Sequence, residues 1–383
     1  MKVPFNHPAV VGRELANLRE ALDQAHLSGD GTFTRRSHEL LREAVGGARV
    51  LLTHSCTGAL EMAAMLADVG PGDEVIMPSF TFVSTANAFA LRGATCVFVD
   101  VRPDTLNLDE TLVAEAVTPR TRAIVPVHYA GVACEMDTLL EIARRDELLV
   151  IEDAAQGFGA TYRGRPLGAI GQLGALSFHA TKNVVSGEGG ALVVGDGRFS
   201  TRAEILREKG TNRSSFFRGE VDKYTWVDVG SSYLPSELVA AFLAAQLEHW
   251  RDITRRRQAI WQTYHEGFAE LEAAGVVRRP IVPAECEHNG HLYYLLLPSL
   301  DVRTRVLEAL KAQGIHAVFH YVPLDTAPAA RRFARTHGTL TVTHDIADRL
   351  VRLPLWLGVE DEQARIIDTI VQTVLQEAAV SQV

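Results

Sequence analysis

The sequence lacks the features that would assign it to a membrane, a metal site or a nucleic acid. No apolar run in its 383 residues approaches the roughly 18 that a membrane helix needs, and the opening MKVPFNHPAVVG lacks the apolar core of a signal peptide. The net charge of −9 provides no basic excess for nucleic acid. The cysteines have no CxxC or metal-type spacing, so we expect no zinc site and a reducing, cytoplasmic compartment; they are Cys56, Cys96, Cys134 and Cys286.

The composition and the order of apolar runs indicate an α/β protein. With 47% hydrophobic and 22% charged residues, the chain is typical of a globular protein, and its length suits one large and one smaller domain. Strand and helix patterns alternate from residue 48 to residue 155, which predicts a mainly parallel sheet. We expect a large domain over 1–250 and a small α+β lobe over 251–383, the latter with a strand at 316–321.

Two short apolar runs within the stretch 148–190 each lead to a reactive side chain. Leu148–Glu152 stops at Asp153, and Ala175–His179 is followed closely by Lys182 and a glycine-rich loop. Ligands of open α/β sheets lie beyond the carboxyl ends of the strands. A lysine and a carboxylate there are what a pyridoxal phosphate (PLP) site requires, since the lysine forms a Schiff base and the acid pairs with the pyridinium nitrogen.

Three further segments each allow a plain and a functional interpretation. The turn 54–59 joins a strand to a helix, so its free N–H groups could hold a phosphate, although a simple N-cap explains the same residues. Phe82 follows the next strand and could stack on a cofactor ring, although a lone Phe is usually in the core. The turn 28–36 is either a surface loop or an entrance loop whose Arg35 and Arg36 meet an anion.

The polar segment 210–230 is unusually long for an irregular stretch inside a compact domain. It carries basic residues among aromatic ones, namely Arg213, Arg218 and Lys223 with Phe216, Phe217, Tyr224 and Trp226. A run of charges is usually a solvated face, but irregular segments of this length tend to be functional. We therefore expect this segment to contact a substrate or a second subunit.

Motifs spread along the whole chain resemble one enzyme family. SCTGALEMAA, PSFTFVSTANAF, VDVRPDTLNLD, VPVHYAGVACEMD, VIEDAAQ and SFHATKN are similar to the DegT/DnrJ/EryC1/StrS family of PLP-dependent nucleotide-sugar aminotransferases. The resemblance implies the fold type I architecture of aspartate aminotransferase, with a seven-stranded, mainly parallel sheet and a smaller C-terminal lobe. It also implies a homodimer with shared active sites. Further segments, including REKGTNRSSFFRGEVDKYTW and VFHYVPL, resemble a branch that uses L-glutamate to aminate dTDP-4-keto-6-deoxyglucose at C4.

The resemblance assigns roles to individual positions. Lys182 matches the Schiff-base lysine, Asp153 the partner of the pyridinium nitrogen, and Gln156 the residue beside the cofactor's phenolic oxygen. The remaining cofactor contacts implied are Phe82 on the ring face, the Thr57 and Gly58 backbone and the Ser177 hydroxyl at the phosphate, and Ser232 from the neighbouring subunit. For the sugar nucleotide's diphosphate, guanidinium and ammonium groups are suitable; the predicted substrate contacts are Arg35, Arg213, Arg218, Lys223 and Tyr321.

Two positions depart from the family pattern. Ser232 stands where many members have an asparagine in a G-Y-N-Y segment, and Asp325 stands where a PLH motif has its histidine. A different nucleotide-linked keto-sugar, or amination at C3, therefore remains open. A dehydratase of the same family would have a histidine in place of Lys182, so the lysine argues against it. A PLP-binding module without turnover ranks last.

Overall fold

The computed structural model of the chain describes residues 2–380. Its strands are β1 Arg49–Thr53, β2 Glu74–Pro78, β3 Thr95–Val99, β4 Thr121–Ile124, β5 Leu149–Asp153, β6 Thr161–Tyr162, β7 Arg165–Pro166, β8 Leu173–Ser177, β9 Gly190–Val194, β10 Cys286–Glu287, β11 Tyr293–Leu296, β12 Ala334–Thr336 and β13 Leu350–Leu353. Its α-helices are α1 Glu14–Asp23, α2 Thr32–Ala44, α3 Cys56–Leu66, α4 Val83–Ala90, α5 Glu110–Ala116, α6 Met136–Arg145, α7 Ser200–Arg207, α8 Arg213–Phe217, α9 Glu237–Glu248, α10 Trp250–Gly267, α11 Ala269–Ala273, α12 Leu300–Ala312, α13 Ala330–Phe333, α14 Thr341–Arg349 and α15 Gln363–Val380. None of the helices described is both long and apolar enough to cross a membrane.

A sheet of eight strands forms the centre of the large α/β part, in the order β1-β9-β8-β5-β4-β2-β3-β12. Its strands run parallel from β8 to β12, and β9 is antiparallel to both β1 and β8. The mainly parallel, fold type I architecture is therefore confirmed. The sheet has one strand more than the seven expected, because the short strand β12 pairs with β3 at the edge.

Three strands of the large sheet are buried along their whole length, and most of their side chains are apolar. β2, β8 and β9 consist of buried residues only, as expected for strands covered by helices on both sides. α3 packs closely on β8 and β9, and its own residues from Gly58 to Leu66 are almost all buried. The N-terminus of α3 is thereby fixed beside the carboxyl end of β8.

Two of the elements that we expected differ in the structure. α2 begins at Thr32, within the turn that we predicted up to residue 36, because the buried carboxylate of Glu237 accepts from the backbone N–H groups at the start of the helix. The expected strand at 316–321 is wrong. Val318 makes one isolated bridge with Arg352, and Tyr321 has a left-handed φ of 40° just before Pro323, so the chain turns away there.

The C-terminal part contains a small two-stranded sheet, in which β11 pairs antiparallel with β13. Helices α12 and α15 pack on each other, and α12 also contacts β13. The N-terminal segment joins this part, since Val3 forms a bridge with Ile315. The boundary between residues 250 and 251 stays a prediction, with β12 and Val3 each pairing across it.

Candidate active site

A cavity of about 620 Å³ opens at the carboxyl ends of β5 and β8. It contains side chains from the large sheet and from the C-terminal part. Seven residues singled out from the sequence line it: Thr57, Phe82, Asp153, Gln156, Ser177, Lys182 and Tyr321. The structure thus brings the predicted lysine and carboxylate into one cavity with hydroxyl groups and an aromatic ring.

Asp153 is the last residue of β5 and is held by two donors. β5 and β8 are parallel neighbours with Asp153 opposite Ala175, so their carboxyl ends open into the same cavity. Thr85 Oγ1 donates to Asp153 Oδ2 at 2.7 Å, and the Ala155 backbone N–H donates to Oδ1 at 3.1 Å. The Thr81 and Thr85 hydroxyls are 2.8 Å apart. Charge-assisted donors of this kind stabilise a buried carboxylate.

Lys182 lies in a turn that follows β8, and its backbone N–H donates to the His179 carbonyl at 2.9 Å. Burial lowers the pKa of Lys182, and the positive charge of Arg352 lowers it further, whereas Cys56 and Asp153 oppose the shift. Among the residues described, none forms a hydrogen bond or ion pair with the Lys182 amine. The amine is therefore available for covalent or proton-transfer chemistry, with an increased fraction in the neutral, nucleophilic form.

The N-terminus of α3 supplies amides and hydroxyls at the cavity. Ser55 caps the helix by accepting from the Gly58 N–H at 3.0 Å, so the predicted Gly58 amide already has an acceptor. The Thr57 and Ser84 hydroxyls are 2.7 Å apart and both line the cavity. A Cβ at Gly190 would lie 2.3 Å from the Cys56 nitrogen, so glycine lets β9 approach this helix end. Helix N-termini with nearby hydroxyls suit a phosphate.

Gln156 and Tyr321 form one hydrogen-bonded unit on the cavity wall. Gln156 accepts from the Ala130 N–H at 2.8 Å and donates through Nε2 to the Tyr321 hydroxyl at 2.9 Å. The Tyr321 ring stacks on His320 with centroids 3.6 Å apart. The left-handed backbone of Tyr321 is an energetically costly conformation that such contacts must hold in place.

Phe82 is not a core residue. It precedes α4 as the N-cap, its side chain is 58% exposed, and it borders the cavity. An aromatic ring at the edge of the cavity can reach a flat ring bound there, which supports the stacking interpretation.

Other predicted contacts lie away from this cavity in the residues described. The basic side chains are mostly bound within the chain: Arg35 donates to the Asp30 carbonyl, Arg213 lies 3.9 Å from Glu208, and Arg218 forms ion pairs with Glu204 and Glu220. Lys223 and Ser232 are exposed. The backbone of Ser232 bridges to Glu208.

The turn at residues 28–36 has a structural explanation. Glu237 is 1% exposed and accepts hydrogen bonds from the backbone N–H groups of Gly31, Phe33 and Thr34 and from the Thr34 hydroxyl. A carboxylate of the same chain thus satisfies the free amides at the start of α2. The anion that this turn meets in the structure is Glu237.

Asp325, the other departure from the family pattern, points into a polar cluster. Its carboxylate accepts from the Ser79 hydroxyl, and His344 Nε2 lies 2.8 Å from its Oδ2. The residues that line the cavity include His320 and Tyr321 from the same segment, and Asp325 is not among those described as lining it.

The structure also adds residues that the sequence did not single out. Phe5, Ser84, His291, His320 and Arg352 all line the cavity. His291 Nδ1 lies 3.0 Å from Asn183 Oδ1, next to the lysine in sequence, and burial lowers the pKa of His291 well below its usual value. No periodic pattern marks these positions, because they come together only through long-range packing.

Comparison with known proteins identifies the family. The sequence pattern of the DegT/DnrJ/EryC1/StrS aminotransferase family matches residues 8–372. The spore coat polysaccharide biosynthesis protein SpsC of Bacillus subtilis is 32% identical over 380 residues, covering 97% of this chain and 96% of that protein. GDP-perosamine synthase of Caulobacter vibrioides is 35% identical over 317 residues, covering 82% and 83%.

A solved structure shares both the fold and the cofactor chemistry. The protein Spr1654 of Streptococcus pneumoniae is 25% identical and has been solved in a PLP form and a PMP form. The PLP form superposes with a TM-score of 0.89 over 98% of this chain and 99% of that chain. The PMP form gives 0.91 over the full length of both. With PLP as its cofactor, this chain belongs to the DegT/DnrJ/EryC1/StrS aminotransferase family and is a sugar aminotransferase.

Proposed function

We propose that the protein transfers the amino group of L-glutamate to the C4 keto group of dTDP-4-keto-6-deoxy-D-glucose. The product would be dTDP-4-amino-4,6-dideoxy-D-galactose, a sugar of enterobacterial common antigen or O-antigen in lipopolysaccharide biosynthesis, and the enzyme a dTDP-4-amino-4,6-dideoxygalactose transaminase (EC 2.6.1.59). The observation that carries the proposal is the cavity in which Lys182 and Asp153 meet at adjacent strand ends. The choice of sugar rests on the resemblance of segments 207–226 and 318–324 to that branch of the family.

The residues present fit PLP. We propose that Lys182 holds its aldehyde carbon and that Asp153, already supported by Thr85 and Ala155, pairs with its ring nitrogen. The backbone of Thr57 and the hydroxyl of Ser177 would bind its phosphate, and Gln156 and Phe82 its ring. When bound, PLP supplies an electron sink for the carbon that loses its proton.

Lys182 is the residue that we propose moves the proton. With a lowered pKa, its Nζ can accept a proton from the carbon that carries the donor's amino group and release it again. Asp153, oriented by its two donors, would pair with the ring nitrogen when the cofactor is bound. In the second half of the reaction Lys182 makes the same transfer in the opposite direction at C4 of the sugar.

We propose a homodimer with shared active sites, in the cytoplasm, with no nucleic-acid or membrane partner. The segment 210–232 is the piece that would cross to the partner subunit. Three of its aromatic side chains are largely exposed, with Phe217 at 70%, Tyr224 at 52% and Trp226 at 76%, as expected for a surface that a partner covers. Arg213, Arg218, Lys223 and Ser232 would then act at the neighbouring cavity. Replacing Arg213 with alanine should raise KM for the sugar nucleotide, and an unchanged KM would exclude that role.

A second candidate function is amination of another nucleotide-linked keto-sugar at C3 or C4. It is supported by the GDP-perosamine synthase relative and by Asp325, which takes the place of the family's histidine and is bound to Ser79 and His344.

The experiment that tests the proposal is a substrate panel. The purified enzyme, loaded with PLP and saturated with L-glutamate, is offered the dTDP-linked 4-keto sugar, its GDP-linked counterpart and a 3-keto isomer. We expect the highest kcat/KM with the first, and proton NMR of the product should show an axial amino group at C4. A higher kcat/KM with either of the others would overturn the proposed substrate. Lys182→Ala is the matched control and should turn over none of them.

A further inference from the structure

An unpaired arginine lies in the wall of the active-site cavity. Arg352 lines the cavity, and its Nε is buried without a hydrogen-bond partner. Within the part of the chain that the structure describes, no carboxylate forms an ion pair with it. Burial lowers the pKa of Arg352, and the Tyr129 and Tyr321 phenols oppose the shift only in part. Leaving a guanidinium with a buried, unpaired Nε and no anion is costly, so this position calls for an anionic ligand.

The backbone and the neighbouring residues of Arg352 fix the position of its side chain in the cavity wall. It lies in β13 opposite Tyr294 of β11, and its N–H donates to the Val318 carbonyl at 2.7 Å. The guanidinium carbon lies 4.9 Å from the centre of the Phe5 ring. The segment that carries Phe5 is itself anchored, because Asn6 donates to the Ala180 carbonyl at 2.9 Å. The side chain is therefore oriented before any ligand arrives.

Three anions could meet this arginine: the cofactor phosphate, the sugar nucleotide's diphosphate and a carboxylate of the amino donor. The groups assigned to the cofactor phosphate, the Thr57 backbone and the Ser177 hydroxyl, belong to α3 and β8, whereas Arg352 belongs to the β11–β13 sheet. Arg352 lines the same cavity as Lys182, the group that meets the reacting carbon, and its positive charge lowers the pKa of that lysine. A diphosphate is separated from a C4 keto group by the sugar ring, whereas an α-carboxylate is one bond from the reacting carbon. The position beside the lysine therefore favours the carboxylate.

We propose that Arg352 binds the carboxylate on the carbon that bears the transferred amino group, so that the enzyme accepts α-amino acids and rejects donors whose amine is on a terminal carbon. Planar guanidinium and carboxylate groups pair through two parallel hydrogen bonds. The proposal rests on the proposed aminotransferase function and identifies the part of the cavity that selects the donor. Arg352 binds and positions the donor and takes no part in proton transfer.

The first test uses the wild-type holoenzyme and three matched donors in the amino-donor half-reaction, followed by the loss of the absorbance band of the lysine-bound cofactor. L-Glutamine keeps the α-carboxylate and loses the side-chain charge, L-isoglutamine does the reverse, and 4-aminobutyrate lacks the α-carboxylate altogether. Relative to L-glutamine, we expect the ratio of the rate constant to KM to be lower by about 100-fold or more for L-isoglutamine and 4-aminobutyrate, the two donors without an α-carboxylate. This is the size of effect seen when one partner of a buried charge pair is lost. Equal values for glutamine and isoglutamine would overturn the proposal.

The second test compares Arg352→Gln with Arg349→Gln. Arg349 lies in the same region, bound to the Leu297 carbonyl and Asp345 outside the cavity, so its replacement controls for a general loss of structure. In Arg352→Gln we expect KM for L-glutamate to rise by about 100-fold and the preference for L-glutamate over 4-aminobutyrate to fall towards equality. The preference should persist in Arg349→Gln. If Arg352→Gln raises KM for the sugar nucleotide and leaves that for L-glutamate unchanged, the arginine binds the diphosphate and the proposal is wrong.

The two proposals fail in different ways. If the amino-donor half-reaction follows these expectations but the dTDP-linked sugar is not aminated, the proposed substrate fails and the role of Arg352 stands. If the sugar is aminated at equal rates with α-amino acids and terminal amines, the role of Arg352 fails and the proposed function stands.

Discussion

The support of Asp153 by Thr85 predicts a defined loss when the hydroxyl is removed. Thr85 is fully buried, and its Oγ1 donates to Asp153 Oδ2 at 2.7 Å while contacting the Thr81 hydroxyl. Thr85→Val keeps the shape and leaves Oδ2 without that donor. A hydrogen bond to a charged group contributes about 1.5–3 kcal/mol, which corresponds to roughly a 10- to 150-fold change in an equilibrium constant. We therefore expect PLP to bind the apoprotein more weakly by about that factor.

The assay is an equilibrium titration of apoprotein with PLP, followed by absorbance. Thr85→Ser retains the hydroxyl and should behave like the wild type. If Thr85→Val binds PLP as tightly as Thr85→Ser, Asp153 is not the partner of the ring nitrogen.

Three further predictions concern stability and specificity. Burial and the charge of Arg207 lower the pKa of His38 to about 3, and its Nε2 accepts from the Leu52 N–H. The unfolded chain therefore binds a proton that the folded chain excludes, so the free energy of unfolding should fall as the pH drops from about 6.5 towards 3. Urea unfolding of His38→Gln should show a less steep fall over the same pH range. Glu237→Gln turns an acceptor of the Phe33 N–H into a donor and should destabilise the protein by about 3 kcal/mol; a loss below about 1 kcal/mol in the same assay would contradict the capping role. Asp325→Asn should lower the unfolding free energy by less than about 1 kcal/mol, since its partner His344 is half exposed. In the same variant, a change of more than about fivefold in KM for the sugar nucleotide would show that Asp325 contacts the substrate.

The sequence was most informative where local chemistry and local structure coincide. Asp153 ends one apolar strand and Lys182 lies shortly after another. Because ligand sites of open α/β sheets lie beyond the carboxyl ends of the strands, the sequence predicts that the two side chains meet in one cavity. The mainly parallel sheet followed from the alternation of strands and helices over the first half of the chain.

The rest depended on contacts between residues far apart in sequence. α2 starts early because Glu237, about 200 residues away, satisfies its first amides. Strand β12 has three partly exposed residues and no apolar run, so only its pairing with β3 defines it. Arg352 lines the cavity because β13 pairs with β11. None of these pairings has a local signature.

The most direct test of the central claim is a single-turnover experiment on the active-site cavity. The wild-type holoenzyme is mixed with L-glutamate, freed of excess donor, and then mixed with dTDP-4-keto-6-deoxyglucose while the visible band of the lysine-bound cofactor is recorded. We predict that the band disappears with L-glutamate and returns with the sugar, and that Lys182→Ala shows neither change because it lacks the amine that forms the band. An unchanged band in the wild type on addition of L-glutamate, or a full cycle in Lys182→Ala, would contradict the assignment of Lys182 as the cofactor-binding lysine.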